Sequence, residues 1–199
     1  MQYSGVNIIS TERLILRPFR MEDAEVMFER WASDEETVHY LSWMAHQSLK
    51  DTKRILKVWM NGYLTKTSYV WAICPKSTPD QPIGSVSLHS FDEKLPSAEA
   101  GYVIARDYWN QGYASEALRA VLEYGLDLMN LHRISAYHHV DNEASGRVME
   151  KAGMTYEGRI REAYKDKHGH YMDVKQYSVL HSDLSLSLIH ISEPTRQVR

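Results

Sequence analysis

A single cysteine, Cys74, stands in the 199 residues, which excludes an internal disulfide framework and any zinc site built from several thiolates. No apolar run extends beyond a few residues, so nothing in the sequence reads as a membrane span. The opening MQYSGVNIISTERL has neither the basic region nor the apolar stretch of a secretory signal. Charge of neither sign dominates: 23 Lys and Arg face 26 Asp and Glu, a net charge of −3, which argues against a broad basic surface for nucleic acid. Phosphate motifs are missing too. No Lys-Ser/Thr pair follows a run of glycines and no Gly-x-Gly-x-x-Gly occurs, so neither a P-loop nor a dinucleotide fold is supported. The absence of a Gly-x-Ser-x-Gly elbow does the same for a serine hydrolase. Ten histidines do not make a metal site: adjacent His138 and His139 would face opposite sides of a strand, and His168 and His170 sit in a turn without a nearby cysteine or an acidic triad of suitable spacing. What is present, 43% hydrophobic and 25% charged residues, describes an ordinary soluble globular domain, expected to be cytoplasmic.

The periodicities predict a mixed α/β (α+β) domain. Residues 13–19 (RLILRPF) alternate as a half-buried strand does. Residues 21–32 place Ala24, Met27, Phe28 and Trp31 on one helical stripe. Ser48, with Asp51 three residues on, caps a second helix whose stripe is Thr52, Ile55, Leu56, Trp59 and Tyr63. Three strand-like runs follow at 69–74, 83–89 and 99–105, the first two separated by the turn-prone KSTPDQP. The clearest helix covers 112–129. A strand at 132–140, a short helix at 142–152 stopped by Gly153, and strands at 156–164 and 171–180 complete the pattern. The closing SLSLIHISEPTRQVR fits no element of this plan. It reads as a terminal extension or sequence scar, with the domain covering 1–183 and the extension 184–199.

The chemistry concentrates in EAGYVIARDYWNQGYASEAL, residues 99–118. A strand ends there and a short polar loop enters a helix at Gly112. Gly112 has no Cβ, and Ala114 and Ser115 are nearly as small, so a ligand can approach the backbone. First-turn amides without intrahelical partners, reinforced by the helix dipole, suit a pyrophosphate; a tight turn with no ligand is the alternative.

This segment, with the opening TERLILRPF and the later VDNEASGRVMEKAGM, resembles the GNAT superfamily of acetyl-CoA-dependent N-acetyltransferases, and within it the Rim-type branch that acetylates ribosomal-protein N-termini. The resemblance runs from about residue 11 to 180. It implies a mixed seven-stranded sheet, splayed between the fourth and fifth strands and flanked by helices. The family's Gln/Arg-x-x-Gly-x-Gly/Ala pattern falls on Trp109 to Ala114, with Trp109 departing from it at the first position. The resemblance also implies that the pantetheine arm of acetyl-CoA pairs with the fourth strand at Tyr102, Val103 and Ile104. The pyrophosphate would rest on the amides of Gln111, Gly112, Tyr113, Ala114 and Ser115. Asn142 caps the next helix or contacts the pantetheine, and Arg106, Arg147 and Lys151 are candidates for the adenosine phosphates.

Acetyl transfer needs a neutral amine, and an α-amino group of pKa about 7.7–8.0 is roughly a tenth neutral at pH 7, far more than a lysine. Glu99 matches a family position for a carboxylate that draws off the amine's proton through water. Where many members of the family place a tyrosine acid this sequence has Met149, and the resemblance to the Rim-type branch implies instead Ser145, three residues after Asn142, as the donor to the leaving thiolate, with Tyr156 and Tyr164 in reserve. Trp31, Trp43, Trp59 and Tyr63 are core by periodicity and, by resemblance, flank the acceptor cleft. The acceptor is expected to be a protein N-terminal amine or a small-molecule amine such as a polyamine, amino acid or antibiotic. A non-catalytic acyl-CoA-binding regulator and a nucleic-acid-associated module are the other classes. No metal and no membrane or nucleic-acid partner is expected, and a homodimer is compatible with the sequence.

Overall fold

The computed structural model describes residues 1–183. One sheet of eight strands runs through it in the order β1-β2-β3-β4-β5-β6-β8-β7. The strands are β1 (Ile9–Ser10), β2 (Leu14–Pro18), β3 (Tyr69–Pro75), β4 (Gly84–Asp92), β5 (Ser97–Ile104), β6 (Arg133–His139), β7 (Thr155–Lys165) and β8 (Tyr171–Leu180). Seven match the sequence reading. The eighth, β1, is two residues added to the edge of β2, too short for any alternation to announce it.

All neighbours are antiparallel except β5 and β6, which run parallel and meet at only three positions, Ser97↔Arg133, Ala98↔Ile134 and Glu99↔Ser135. Beyond Glu99 the two strands part. This is the splay expected between the fourth and fifth strands of the sequence reading. A parallel pair needs a crossover on the sheet face; here α3 (Tyr113–Glu123), continued by a π-turn at Tyr124–Leu128, supplies it.

Two apolar layers sandwich the sheet. On one face Leu118, Val121, Leu122 and Leu126 meet Leu16, Trp71, Val86 and Ile134. On the other, α1 (Ala24–Met27), bracketed by a 3-10 turn and a π-turn, and α2 (Leu49–Thr65) pack Phe19, Met27, Trp31 and Leu56 onto Ala72, Cys74 and Ala105. Covered on both sides, β3 is buried along nearly its whole length. Each large apolar side chain buried contributes about 1.5–3 kcal/mol. Cys74 is a buried filler whose thiol burial pushes up to about 11.

Local rules hold where tertiary contacts reinforce them. The Ser48 amide donates to the Asp51 carboxylate at 3.1 Å, closing the start of α2. Asp23 is buried at the start of the first helical run and takes both Arg17 guanidinium nitrogens at 2.8 Å and the Arg20 amide at 2.7 Å. The hydroxyl of Tyr63 accepts from the Phe19 amide and donates to the Val70 carbonyl, and burial pushes its pKa up to about 12.

Candidate active site

The parting of β5 from β6 opens a cleft of about 560 Å³ through the middle of the molecule. One wall is β4 and the free edge of β5; the opposite wall is β6, the start of α4 (Glu143–Lys151) and the inner side of β7 and β8. The π-turn after α1 brings Trp31 to its far end, α2 brings Trp59, and the segment between them brings Trp43. Residues 33–47 cross above it. There Tyr40 stacks on His139 with ring centroids 5.4 Å apart, and the Lys167 ammonium donates to the Val38 carbonyl at 3.2 Å.

The free edge of β5 is short. Tyr102, Val103 and Ile104 pair with Val86, Ser85 and Gly84 on the β4 side and with no described strand on the other. Tyr102 and Val103 line the cleft, whereas the Ile104 side chain is buried in the core and offers only backbone. The Ile104 carbonyl accepts from the Trp109 indole at 2.7 Å. Trp109, the departure from the family pattern, therefore ties the polar loop to the strand end.

That loop turns through two left-handed residues, Asn110 and Gly112, with φ of 59° and 81°. Gly112 is the N-cap of α3, so the amides of Tyr113, Ala114 and Ser115 open its first turn. The Gln111 side chain is turned away onto the Asp107 carbonyl at 2.9 Å. A network that motif reading missed supports the loop from below. Arg13 donates to the Gln111 carbonyl (2.9 Å) and to Glu116 (2.7 Å), and its guanidinium lies 4.5 Å from the centre of the Tyr113 ring. Glu116 also accepts from the Thr11 hydroxyl (2.6 Å) and the Arg13 amide (2.8 Å). Burial would raise its pKa, but these donors outweigh it and hold the carboxyl below its ordinary value. The Thr11-Glu12-Arg13 opening is thus a brace for the loop that enters α3, about a hundred residues further along the chain.

Across the cleft, Asn142 caps α4, its Oδ1 accepting from the Ser145 amide at 3.4 Å, while it also lines the cavity. Ser145 is not the cap. Its hydroxyl lies 2.7 Å from the Tyr102 hydroxyl, which donates to the Ser145 carbonyl at 2.9 Å. Burial pushes the Tyr102 pKa well up, so it stays a neutral donor. This contact bridges the splay, joining β5 to α4. Met149, at the position where the family resemblance leads one to expect a tyrosine, is buried against the same cavity.

Glu99 stands at the last paired position of β5, on the opposite face of the strand from Tyr102. Its carboxylate accepts from the Tyr164 hydroxyl at 3.2 Å and lies 3.9 Å from His89 Nδ1. Tyr164 stacks on Tyr137, ring centroids 3.6 Å apart, and burial followed by Glu99 raises its pKa. Both tyrosines line the cleft. Glu99 and Ser145 therefore sit on either side of the free edge, one toward the α1–α2 side and one toward α4. Tyr164 belongs to the Glu99 side, and Tyr156 is exposed against Tyr177, outside the cleft lining. Arg106, a candidate for the adenosine phosphates, pairs here with Asp34 and Glu36. Among the described residues no cluster of His, Cys, Asp and Glu is arranged to hold a metal, and no helix is long and apolar enough to cross a membrane.

The fold and the cleft have counterparts among known proteins. Residues 13–155 match the acetyltransferase (GNAT) domain family. The chain is 34% identical over 174 residues to the uncharacterized N-acetyltransferase YoaA of Bacillus subtilis, covering 87% of this chain and 96% of that one. Shorter matches are to a Vibrio cholerae spermidine N(1)-acetyltransferase (31% identical, 50% of this chain, 57% of that one) and an Escherichia coli ribosomal-protein-serine acetyltransferase (30%, 42% and 47%). A GNAT acetyltransferase from Bacillus anthracis superposes with a TM-score of 0.77 at 30% identity, covering 88% of this chain and 99% of that one.

Proposed function

The chain belongs to the GNAT acetyltransferase family, and from that membership we propose that it moves an acetyl group from acetyl-CoA to a protein N-terminal α-amine, directly and with both substrates bound. The bound thioester supplies an activated acetyl carbonyl. The residues present suit acetyl-CoA: a free strand edge at 102–104 for an extended amide-bearing arm, and the first-turn amides of α3 for a diphosphate. Arg13 compensates Glu116, which would otherwise repel that diphosphate.

The amine enters from the α1–α2 side. Glu99 works at that end, favouring departure of the proton from the nitrogen by its negative charge. Ser145 works at the other end, donating its hydroxyl proton to the departing sulfur while Tyr102 holds it in place. First-turn amides of α4 and the helix dipole favour the developing negative charge.

The observation that carries the acceptor assignment is the cleft lining, to which the described residues contribute aromatic, histidine, serine and aliphatic side chains, Asn142 and one cation, Lys165, but no Asp or Glu. Glu99, behind His89 and Tyr164, is the carboxylate that neighbours it. An acceptor with one ammonium and an apolar or hydroxyl-bearing residue next to it matches such a wall. A polyamine carries further ammonium groups that need partners of their own. The polyamine reading keeps one supporting feature, because aromatic faces such as Tyr40 and Trp43 can hold a cation.

Thiol release from acetyl-CoA, measured against short peptides with free N-termini, spermidine, amino acids and aminoglycosides, tests the assignment. Peptides should lead spermidine by at least about tenfold in kcat/KM, a difference of about 1.4 kcal/mol. The reverse order would transfer the site to small polyamines.

A further inference from the structure

We propose that His89 is the group that takes the proton from the attacking amine, through Nε2, and that Glu99 is its positioning carboxylate at Nδ1. This rests on the acetyl-transfer reading above and goes beyond it, since nothing in the sequence motifs or the relatives assigns a role to His89.

Three independent features of the backbone converge on this ring. His89 is the last residue of β4 to pair in register with β5, opposite Glu99. Immediately after it the ladder breaks in a bulge, and Ser90 adopts a left-handed φ of 52°. A non-glycine residue held in that region and a bulge beside a cleft both mark places where a side chain is re-aimed. The re-aimed ring has its Nδ1 3.0 Å from the Ser90 hydroxyl and 3.9 Å from the Glu99 carboxylate. In the proposed arrangement Nδ1 carries the proton toward these oxygens, and the lone pair is left on Nε2.

Nε2 lies over Gly101, two residues beyond the last position at which β5 pairs with β6. A methyl group on Gly101 would lie 3.2 Å from His89 Nε2 and 3.3 Å from the Ser87 hydroxyl, closer than ordinary contact, so the ring and the hydroxyl themselves occupy the space a side chain would take. Gly101, His89 and Ser87 line the cleft together with Trp43 and Trp59. An amine in the cleft at this wall can reach Nε2, whereas Glu99 is not among the lining residues and is already engaged by the Tyr164 hydroxyl.

The titratable groups around His89 are Glu99 from β5, Tyr137 from β6, and Tyr164 and Lys165 from β7. Burial lowers the imidazole pKa, and Glu99 opposes it. The ring is thus largely neutral at pH 7, and it gains a nearby negative charge when it becomes imidazolium. In the transfer, the nitrogen–acetyl bond forms and the carbon–sulfur bond breaks. One amine proton passes to Nε2 and is later lost to solvent, while the sulfur receives a proton from the Ser145 side.

The test has one arm without substrate and one with it. In the protein alone, histidine ring resonances followed by NMR against pH should place the His89 pKa lower in Glu99→Gln than in wild type. An unmoved His89 pKa would overturn the pairing. With a peptide acceptor from the panel above, His89→Gly should lower kcat about 100-fold at pH 7, leave the KM for acetyl-CoA within about twofold, and regain rate when imidazole is added. A rate close to wild type, or a loss that no imidazole restores, would overturn the base assignment. Wild type that releases thiol with no amine in the panel would instead overturn the acetyl-transfer reading, while the NMR arm still decides the His89–Glu99 pair.

Discussion

Ser145 illustrates how a residue at a helix start is released for chemistry. Asn142 performs the capping, so the Ser145 hydroxyl is turned across the splay to Tyr102. Ser145→Ala should therefore cost about 10- to 100-fold in kcat at every pH, with acetyl-CoA affinity unchanged, as read from initial rates and calorimetric titration. Full activity in that variant would hand the proton to water. Arg13 makes the opposite kind of prediction. Arg13→Ala leaves Glu116 uncompensated beneath the pyrophosphate loop and removes the donor on the Gln111 carbonyl. Acetyl-CoA should then bind about tenfold more weakly, while Arg13→Ala combined with Glu116→Gln should recover part of that loss. Asn142 and Ser145 were legible in the sequence because cap chemistry is local, three residues apart. Arg13 and His89 were not, because their partners arrive from strands and helices far along the chain.

At the scale of elements, the site depends on two helix starts held against the sheet by glycines. Gly112 must be left-handed to cap α3, so any side chain there is strained, and one added would first meet Arg13 Nη2 at 3.3 Å. Gly112→Glu adds a carboxylate to that strain and should sharply weaken CoA binding while the fold persists, a combination that circular dichroism and titration together would check. Gly146 seats α4. A Cβ there would lie 2.7 Å from His138 Nε2 and 3.1 Å from the Tyr177 hydroxyl, and His138 is buried beneath the helix. Gly146→Ala should lift the helix, costing about 1–3 kcal/mol in denaturant unfolding and lowering activity through the displaced Ser145. The periodicities marked both helices within a residue or so. They did not show the π-turns that end the first helical run and α3, since a widened turn keeps the same apolar stripe.

For the whole molecule, pH dependence follows from three histidines, one buried (His138), one half-buried (His46) and one on the cleft wall with much of its ring exposed (His89). His46, His89 and His138 are all held below the ordinary value of 6.5, each chiefly by burial. The unfolded chain therefore binds protons at a higher pH than the folded one. Their contribution to stability is complete above about pH 6.5 and is lost as the pH falls through the folded-state values. Tm should fall between pH 7.5 and 5.5, and the fall should be smaller in His46→Gln; a flat Tm over that range would contradict it. The extension at 184–199 lies outside the described residues. Strand β8 is flanked by β6 and β7, and Asp183 accepts from the Leu180 amide at 2.9 Å to close the turn after it. Truncation after Asp183 should accordingly leave Tm and thiol release nearly unchanged.

Read alone, the sequence determined the class of fold, the order of seven strands and four helices, and the loop that enters α3 at Gly112, because alternation, helical stripes and turn glycines are properties of neighbouring residues. It also placed Glu99 and Ser145 through their positions in two motifs. Only the tertiary structure decided which side chains face one another across the cleft. The bulge at Ser90 aims His89 at Gly101, the parallel pairing that stops at Glu99 opens the β5 edge, and Arg13 reaches under α3. Each of these depends on register between segments distant in the chain. Register is set by the packing of two apolar layers around the sheet, and no local pattern of residues encodes it.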